Sequence, residues 1–436
     1  MAANLKALFK TITALDPATT NYDWTGFGFD PKACLFIATG RNDAADAVGR
    51  GTTGAGSSVE LSIGAGSGAA SRGCATSFYS DNAGSVTGGG RNDDAAIIQR
   101  IDATGALSGS LDFNSFITDG VRVTIDDDFS VGQKVMVIGI GGDDITNVAV
   151  KKYMTGTSTG DAIDFTGLGF DPGDNSLFIF FGLPEVASAI PSANEDVIAM
   201  SFGLATSNGD QYSMSINNDD DSASADTDTY SRAGDCLNST TPAGSAGSAF
   251  RAIFIQSITD GFRLDIDTLT GSISRPFFVM VIKGGSWKLF DLLTQTDTTT
   301  DIVKSGFGFQ PVGAVFVSHC QAQSPSPALT QTGSGLSIGA CTGTSDEICH
   351  SLLDENGTAN METSTAIRYS DVYARISAAS AIDGAMRAQS FPDATGFTMR
   401  MSDADPAQAF VFGFALGNSP VPGTGNRRRR FLMSAR

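Results

Sequence analysis

WTGFGFDPKACLFIATG (24–40) is answered further along the chain by FTGLGFDPGDNSLFIFFG (165–182) and KSGFGFQPVGAVFVSHC (304–320). The leading glycines, Gly26, Gly167 and Gly306, stand 141 and 139 residues apart. Repetition at that spacing means three copies of one domain, because solenoid units are only ~20–50 residues long. Other landmarks recur at similar offsets. Leu61-Ser62-Ile63-Gly64 corresponds to Met200-Ser201-Phe202-Gly203 and Leu336-Ser337-Ile338-Gly339. SFYSDN from Ser77 corresponds to SINNDD from Ser215 and SLLDEN from Ser351. An R-x-x-D pair occurs as Arg91/Asp94, Arg232/Asp235 and Arg368/Asp371. DGVRVTID from Asp119 matches DGFRLDID from Asp260 and TGFTMRMS from Thr395. Apolar runs from Val135, Phe277 and Ala409 then close each copy. The spacing sets boundaries at 1–142, 143–285 and 286–418, followed by an arm at 419–436.

Each copy reads as all-β. Short apolar stretches such as Cys34–Ala38, Leu177–Phe181 and Ala314–Val317 lie between Gly, Pro, Asp and Asn, and Val121–Ile125 and Phe262–Ile266 alternate with period two. The best helical candidate, Asn4–Ile12, is at least as strand-like. Three tandem β-sandwich or jelly-roll-like domains are expected. The GFGF-type motif fits a turn into a strand: its glycines allow φ > 0 or close backbone approach, and its Phe residues fill the core. The three copies could sit as a pseudo-trimer or as a string of beads, and the sequence does not choose.

The body is acidic. The net charge is −19, from 28 basic and 47 acidic residues. The arm, SPVPGTGNRRRRFLMSAR, holds five arginines and no acid; setting those aside leaves 23 basic residues and a body near −24. Such a body resists nucleic acid and anionic membrane. No apolar run reaches the ~18 residues of a membrane-spanning helix. The start, MAANLKALFKTITALDP, has no apolar signal region, which predicts cytoplasmic synthesis. Arg427, Arg428, Arg429, Arg430, Phe431, Leu432 and Met433 are the candidate anchoring arm: guanidinium forks for carboxylates, then an apolar plug.

Residues that could carry chemistry are few. The cysteines are Cys34, Cys74, Cys236, Cys320, Cys341 and Cys349, and both histidines adjoin two of them, as His319-Cys320 and Cys349-His350. Zinc spacing is absent, and adjacent strand residues face opposite ways, so these read as core thiols and no metal or other cofactor is expected. No G-x-S-x-G elbow frames a nucleophile. The acidic runs Asn217–Asp221 and Asp126–Asp128 lack a calcium-loop spacing and read as solvated turns. R-x-x-D reads as a structural pair within each sandwich.

The order G-x-G-F-x-P, apolar strand, Ser/Gly-rich middle, D-G-F/V, apolar closing strand resembles a module of tailed-bacteriophage virion proteins. Gly26–Pro31, Gly167–Pro172, Gly306–Pro311, Asp119–Ile125 and Asp260–Ile266 carry the resemblance; copy three departs from it with Thr395 in place of Asp. It implies β-sandwiches in fibres, tail parts or capsid decoration. The expectation is a non-enzymatic virion structural protein, assembled in the host cytoplasm as part of an oligomeric particle. Its partners are then other virion proteins, with no nucleic acid or membrane. The alternative is a tail-associated adhesin for a host surface glycan.

Overall fold

The structure is a computed structural model. It describes residues 2–418 except 51–57, 81–87, 103–104, 161, 185–189, 191, 195–196, 220–226, 241–247, 323–327, 331–333, 355–362 and 378–379. The arm residues Arg427 to Met433 therefore lie outside the described residues. The described chain is built of strands, with one 3-10 turn at Thr270–Ser272.

The first unit holds β1 (Ala3–Ile12), β2 (Asn21–Thr25), β3 (Pro31–Ala38), β4 (Ala47–Arg50), β5 (Ser58–Gly68), β6 (Ser71–Ser80), β7 (Gly88–Asp93), β8 (Ile98–Ile101), β9 (Leu107–Ile117), β10 (Gly120–Asp127) and β11 (Gln133–Gly142). The second holds β12 (Ile145–Met154), β13 (Ala162–Thr166), β14 (Ser176–Gly182), β15 (Ser192–Asn194), β16 (Val197–Thr206), β17 (Gln211–Asp219), β18 (Thr227–Ala233), β19 (Leu237–Thr240), β20 (Ser248–Ile258), β21 (Gly261–Leu269) and β22 (Pro276–Gly284). The third holds β23 (Ser286–Leu293), β24 (Asp301–Lys304), β25 (Pro311–Ala322), β26 (Ala328–Thr330), β27 (Ser334–Gly343), β28 (Asp346–Asp354), β29 (Thr363–Arg368), β30 (Tyr373–Ile376), β31 (Ile382–Asp393), β32 (Gly396–Asp403) and β33 (Ala409–Gly417).

One strand order occurs three times. A seven-stranded antiparallel sheet runs β1-β11-β3-β5-β6-β7-β15, and a four-stranded sheet runs β2-β10-β9-β8. The next pair is β12-β22-β14-β16-β17-β18-β26 with β13-β21-β20-β19, and the last is β23-β33-β25-β27-β28-β29-β4 with β24-β32-β31-β30. The seventh strand of each large sheet belongs to the following unit. β15 of unit two completes the sheet of unit one, β26 of unit three completes that of unit two, and β4 of unit one completes that of unit three. The exchange runs in a circle, so the three units form a closed ring.

The two faces of each large sheet have separate duties. Successive strand residues point to opposite faces. On β11, Val135 and Val137 enter the core between the large and small sheets of unit one, while Met136, Ile138 and Ile140 enter a second core. That second core gathers Leu35, Ile37 and Leu61 from unit one, Ile179, Phe181 and Met200 from unit two, and Val315, Phe412 and Leu336 from unit three. The equivalent sandwich cores of units two and three are built around Phe178, Phe180 and Phe262 and around Phe316, Phe290 and Phe397. A strand buried on both faces needs apolar residues at every position. That explains runs such as SLFIFFG in β14, all of it buried.

The three unit junctions converge at one pole. A Cβ on Gly285, between units two and three, would stand 2.9 Å from Leu416 Cδ1 and 3.3 Å from Ile145 Cδ1. Asn418 Oδ1 accepts from the Ala3 N–H at 2.7 Å, and Ser286 Oγ donates to the Asn418 carbonyl at 3.1 Å. The last described residue is thus tied to the beginning of β1.

Candidate functional site

The recurring sequence landmarks build the scaffold on which any surface site must sit. A Cβ on Gly64, Gly203 or Gly339 would stand 1.9, 1.9 or 2.1 Å from the carbonyl oxygen of Ile97, Cys236 or Val372. The large sheet touches the small sheet's last strand at that point, and only glycine permits it. Two residues earlier, Ser62, Ser201 and Ser337 Oγ accept the N–H of Gln99, Asn238 and Ala374 at 3.1, 3.4 and 3.1 Å. The repeated S-x-G is a sheet-to-sheet fastener.

The GFGF-type turn is a second fastener. Gly26, Gly167 and Gly306 have φ of 104, 95 and 80°. Asp119 Oδ2 accepts from Gly26 N–H at 3.0 Å, and Asp260 Oδ2 accepts from Gly167 N–H at 3.1 Å. In unit three Thr395 has no carboxylate to offer, and the turn keeps the carbonyl bond common to all three units, from Phe27, Leu168 and Phe307 N–H to the Asp119, Asp260 and Thr395 carbonyls at 3.4, 3.2 and 3.0 Å.

Strand register corrects two landmarks in copy one. Thr76, not Ser77, is the equivalent of Ser215 and Ser351, because Leu61, Met200 and Leu336 face Ser77, Ile216 and Leu352. Arg91 faces Thr76, whereas Arg232 faces Ser213 and Arg368 faces Cys349, two residues further along. Arg91 therefore does not share their position, and its partner is Asp93 at 3.0 Å. Asp94 pairs instead with Lys152 of unit two at 2.5 Å. In the other copies the expected pairs form, Arg232–Asp235 at 3.5 Å and Arg368–Asp371 at 2.7 Å, with both carboxylates buried. Arg251 also grips Asp235 with two bonds, at 2.8 and 3.0 Å.

A triplicated surface feature escaped the sequence reading. Arg122 binds Asp23 through two nitrogens at 2.6 and 2.7 Å, Arg263 binds Asp164 at 2.5 and 2.9 Å, and Arg400 meets Asp301 at 2.7 and 2.6 Å. All lie on the exposed side of the small sheets. In unit three the pair sits two residues along the ladder, where unit one has Asn21 and Thr124. A two-residue step keeps the same face. The Asp23 and Asp164 carboxylates stand below the ordinary range, chiefly through the arginine hydrogen bond.

The Cys/His pairs of copy three do not meet. His319 Nε2 bonds Ser231 Oγ of unit two at 2.9 Å, and its Nδ1 accepts from Gln321 N–H at 3.1 Å. His350 Nδ1 bonds Thr39 Oγ1 of unit one at 3.0 Å. Each histidine thus serves a different seam. All six cysteines are buried free thiols, pushed up by burial as the leading cause. A buried neutral thiol is a poor nucleophile. Among the described residues no three His, Cys, Asp or Glu side chains gather as a metal cage. Of the acidic runs, Asp220 and Asp221 lie outside the described residues, and Asp128 Oδ1 accepts from Ala18 N–H at 2.5 Å.

Open clefts of a few hundred Å³ occur among the described residues. One of about 360 Å³ lies at the junction pole between Asn4, Phe29, Asp30 and Asp143. There Asp30 accepts from Asp119 N–H at 2.8 Å, and Lys32 donates to the Ile145 carbonyl at 2.6 Å. Another, of about 260 Å³, is lined by Lys152, Tyr153, Met154 and Ile190.

The seams hold the denser chemistry. Between units one and two, Asn92 exchanges two bonds with the Leu183 backbone, both 3.1 Å, and Ser71 Oγ accepts from Val150 N–H at 2.8 Å. Between units two and three, Lys288 meets Asp210 at 2.8 Å, and the His319–Ser231 bond crosses the same seam. Between units three and one, Arg41 donates to Asp43 at 2.6 Å, to the Gly49 carbonyl at 3.1 Å and to the Thr365 carbonyl at 3.4 Å. Asp46 accepts from Tyr369 N–H at 2.5 Å and Ser370 Oγ at 3.0 Å, and Lys6 pairs with Asp346. Phe9 packs on His350 and Tyr369 at ring-centroid distances of 5.0 and 4.7 Å.

No known protein family, curated protein or solved structure matches this chain.

Proposed function

We propose that this chain is a non-enzymatic structural protein of a bacteriophage particle, seated where the particle offers three similar contacts. The observation that carries the reading is the closed ring. One chain presents three similar sandwiches around a single shared core, so it offers its surroundings a near-threefold surface without assembling from three subunits. The ion pairs Arg122–Asp23, Arg263–Asp164 and Arg400–Asp301 support it. Exposed ion pairs add little to stability, yet the pair recurs on all three outer sheets even where its position shifts along the ladder. The sequence resemblance to virion modules supplies the particle. The basic arm, 427–433, serves as the tether, drawn by charge to carboxylates of a neighbouring protein.

The test is uptake by particles assembled without the protein, followed by imaging. The reading expects one molecule centred on a threefold or quasi-threefold position, and weaker uptake after deletion of 426–436. Random placement, or no uptake together with binding to a host glycan array, would replace it with the adhesin reading.

A further inference from the structure

One position between the two sheets is solved differently in each unit. Strand pairing makes Arg72, Gln211 and Glu347 equivalent, each three residues before Ala75, Met214 and His350, which face Asn92, Ser231 and Ile367. It likewise makes Phe113, Phe254 and Ala388 equivalent on the small sheet, facing Val123, Leu264 and Met399. In unit two the Gln211 amide spans the gap. Its Oε1 accepts from Phe254 N–H at 2.7 Å, and its Nε2 donates to the Phe254 carbonyl at 3.2 Å. In unit one Arg72 reaches the Ala95 carbonyl at 2.7 Å and the Asp112 carboxylate at 3.0 Å. In unit three Glu347, 3% exposed, accepts the Ala388 N–H through Oε1.

An ionised carboxylate cannot reproduce the amide's pair of bonds, because it has no proton to donate to a carbonyl. A carboxylic acid can. We propose that Glu347 is a proton-held latch between the sheets of unit three, closed while its carboxyl is protonated and released when the proton leaves for solvent.

The surroundings favour the neutral form. Burial is the leading cause that pushes the Glu347 carboxyl up to about 8; Asp371 adds to the rise, while the Ala388 N–H and Arg387 oppose it. Arg387 lies on the small sheet and is exposed, so water screens it. Asp371 is engaged by Arg368 and by Ser402 Oγ at 2.5 Å. On the adjacent strand Cys341 faces Glu347 as a neutral buried thiol, and the neighbouring Asp346 is held by Lys6 and Thr342. A carboxyl whose pKa is raised on closing contributes fully below its free value of 4.5 and loses that contribution as pH rises to about 8. The closed-to-open ratio then falls roughly tenfold per pH unit across that window and levels off above it.

Alkylation of Cys341 in the intact chain reads the latch, since that thiol lies under the same sheet contact. At any one pH the wild type and Glu347→Gln differ at Cys341 only by the Glu347 charge, which suppresses the thiolate in the wild type, so a faster wild type reports opening and not thiol activation. The proposal expects equal rates near pH 5 and modification about tenfold or more faster in the wild type at pH 8, with Cys34, Cys74 and Cys236 unchanged. Equal rates at pH 8, or faster modification of Glu347→Gln, would overturn it. The converse variant, Gln211→Glu, should give unit two the same pH dependence at Cys236; a flat profile there would contradict the proposal even if Glu347→Gln failed to fold.

Discussion

The seam between units one and two and the seam between units three and one solve the same problem with different means. Both add a seventh strand from the next unit to a large sheet. Across the first, described side chains mostly address backbone, Asn92 to Leu183 and Ser71 to Val150, and a single surface ion pair, Lys152–Asp94, joins them. Across the second a charged network gathers, with Arg41, Asp43 and Asp46 gripping β29 and the segment after it. The difference follows from connectivity. Two residues, Asp143 and Asp144, link β11 to β12 and hold units one and two together at high effective concentration. No peptide link holds unit three to unit one, so directional, charge-assisted bonds do that work.

Moving the break is the strongest way to test that contrast. A circular permutant with Asn418 joined to Ala3 by a short linker and opened between Asp143 and Asp144 transfers the break to the seam without the charged network. It should melt well below the wild type, by several degrees or more, as a loss of about 2–4 kcal/mol requires. Equal melting would mean that the seams are interchangeable. Arg41→Ala comes next. It strips three bonds from a buried guanidinium site and leaves Asp43 and the Thr365 carbonyl short of partners, at a cost of about 2–4 kcal/mol in chemical denaturation. Asn92→Ala, at the linked seam, should cost less, about 1–3 kcal/mol.

Acid should act on the closing seam. Burial, aided by Arg41, pushes the His350 imidazole down to about 3 from 6.5. The unfolded chain then takes up the proton first, so stability is intact above about 6.5 and falls as pH drops toward 3. His350→Gln should flatten that slope relative to wild type in pH-dependent unfolding, while a slope unchanged by the substitution would remove His350 from the account. The smallest effect belongs to the exposed pairs. Arg122→Ala should leave the melting temperature unchanged within error while weakening uptake by the particle; a clear loss of stability would show that the pair serves the fold.

Much of the fold was legible in the sequence because the constraints are local. Gly64, Gly203 and Gly339 recur since a carbonyl leaves no room for a Cβ, and DG recurs since its Asp holds the glycine-rich turn. Strand runs apolar at every position, such as the one from Leu177 to Phe181, carried the sign of burial on two faces, which a free-standing sandwich does not need. The ring itself was not legible. The exchanged strands β4, β15 and β26 are only three or four residues long and share no motif. A strand that short is specified by the edge it meets, not by its own residues. Arg91 and Ser77 were misplaced because copy one is offset by two residues and by one, and in a strand a single step reverses the face. The Arg–Asp surface pairs went unseen because their partners stand 99 residues apart in sequence.

The most direct test of the ring is a covalent trap across its closing seam. Val48 on β4 and Ala366 on β29 are paired across the antiparallel ladder. The double variant Val48→Cys/Ala366→Cys should form one intramolecular disulfide under mild oxidation, giving a monomer that runs faster on a non-reducing gel and unfolds at higher denaturant. The native cysteines are buried and should not compete. No cross-link in the folded protein, or one that joins separate chains, would contradict the closed three-unit ring.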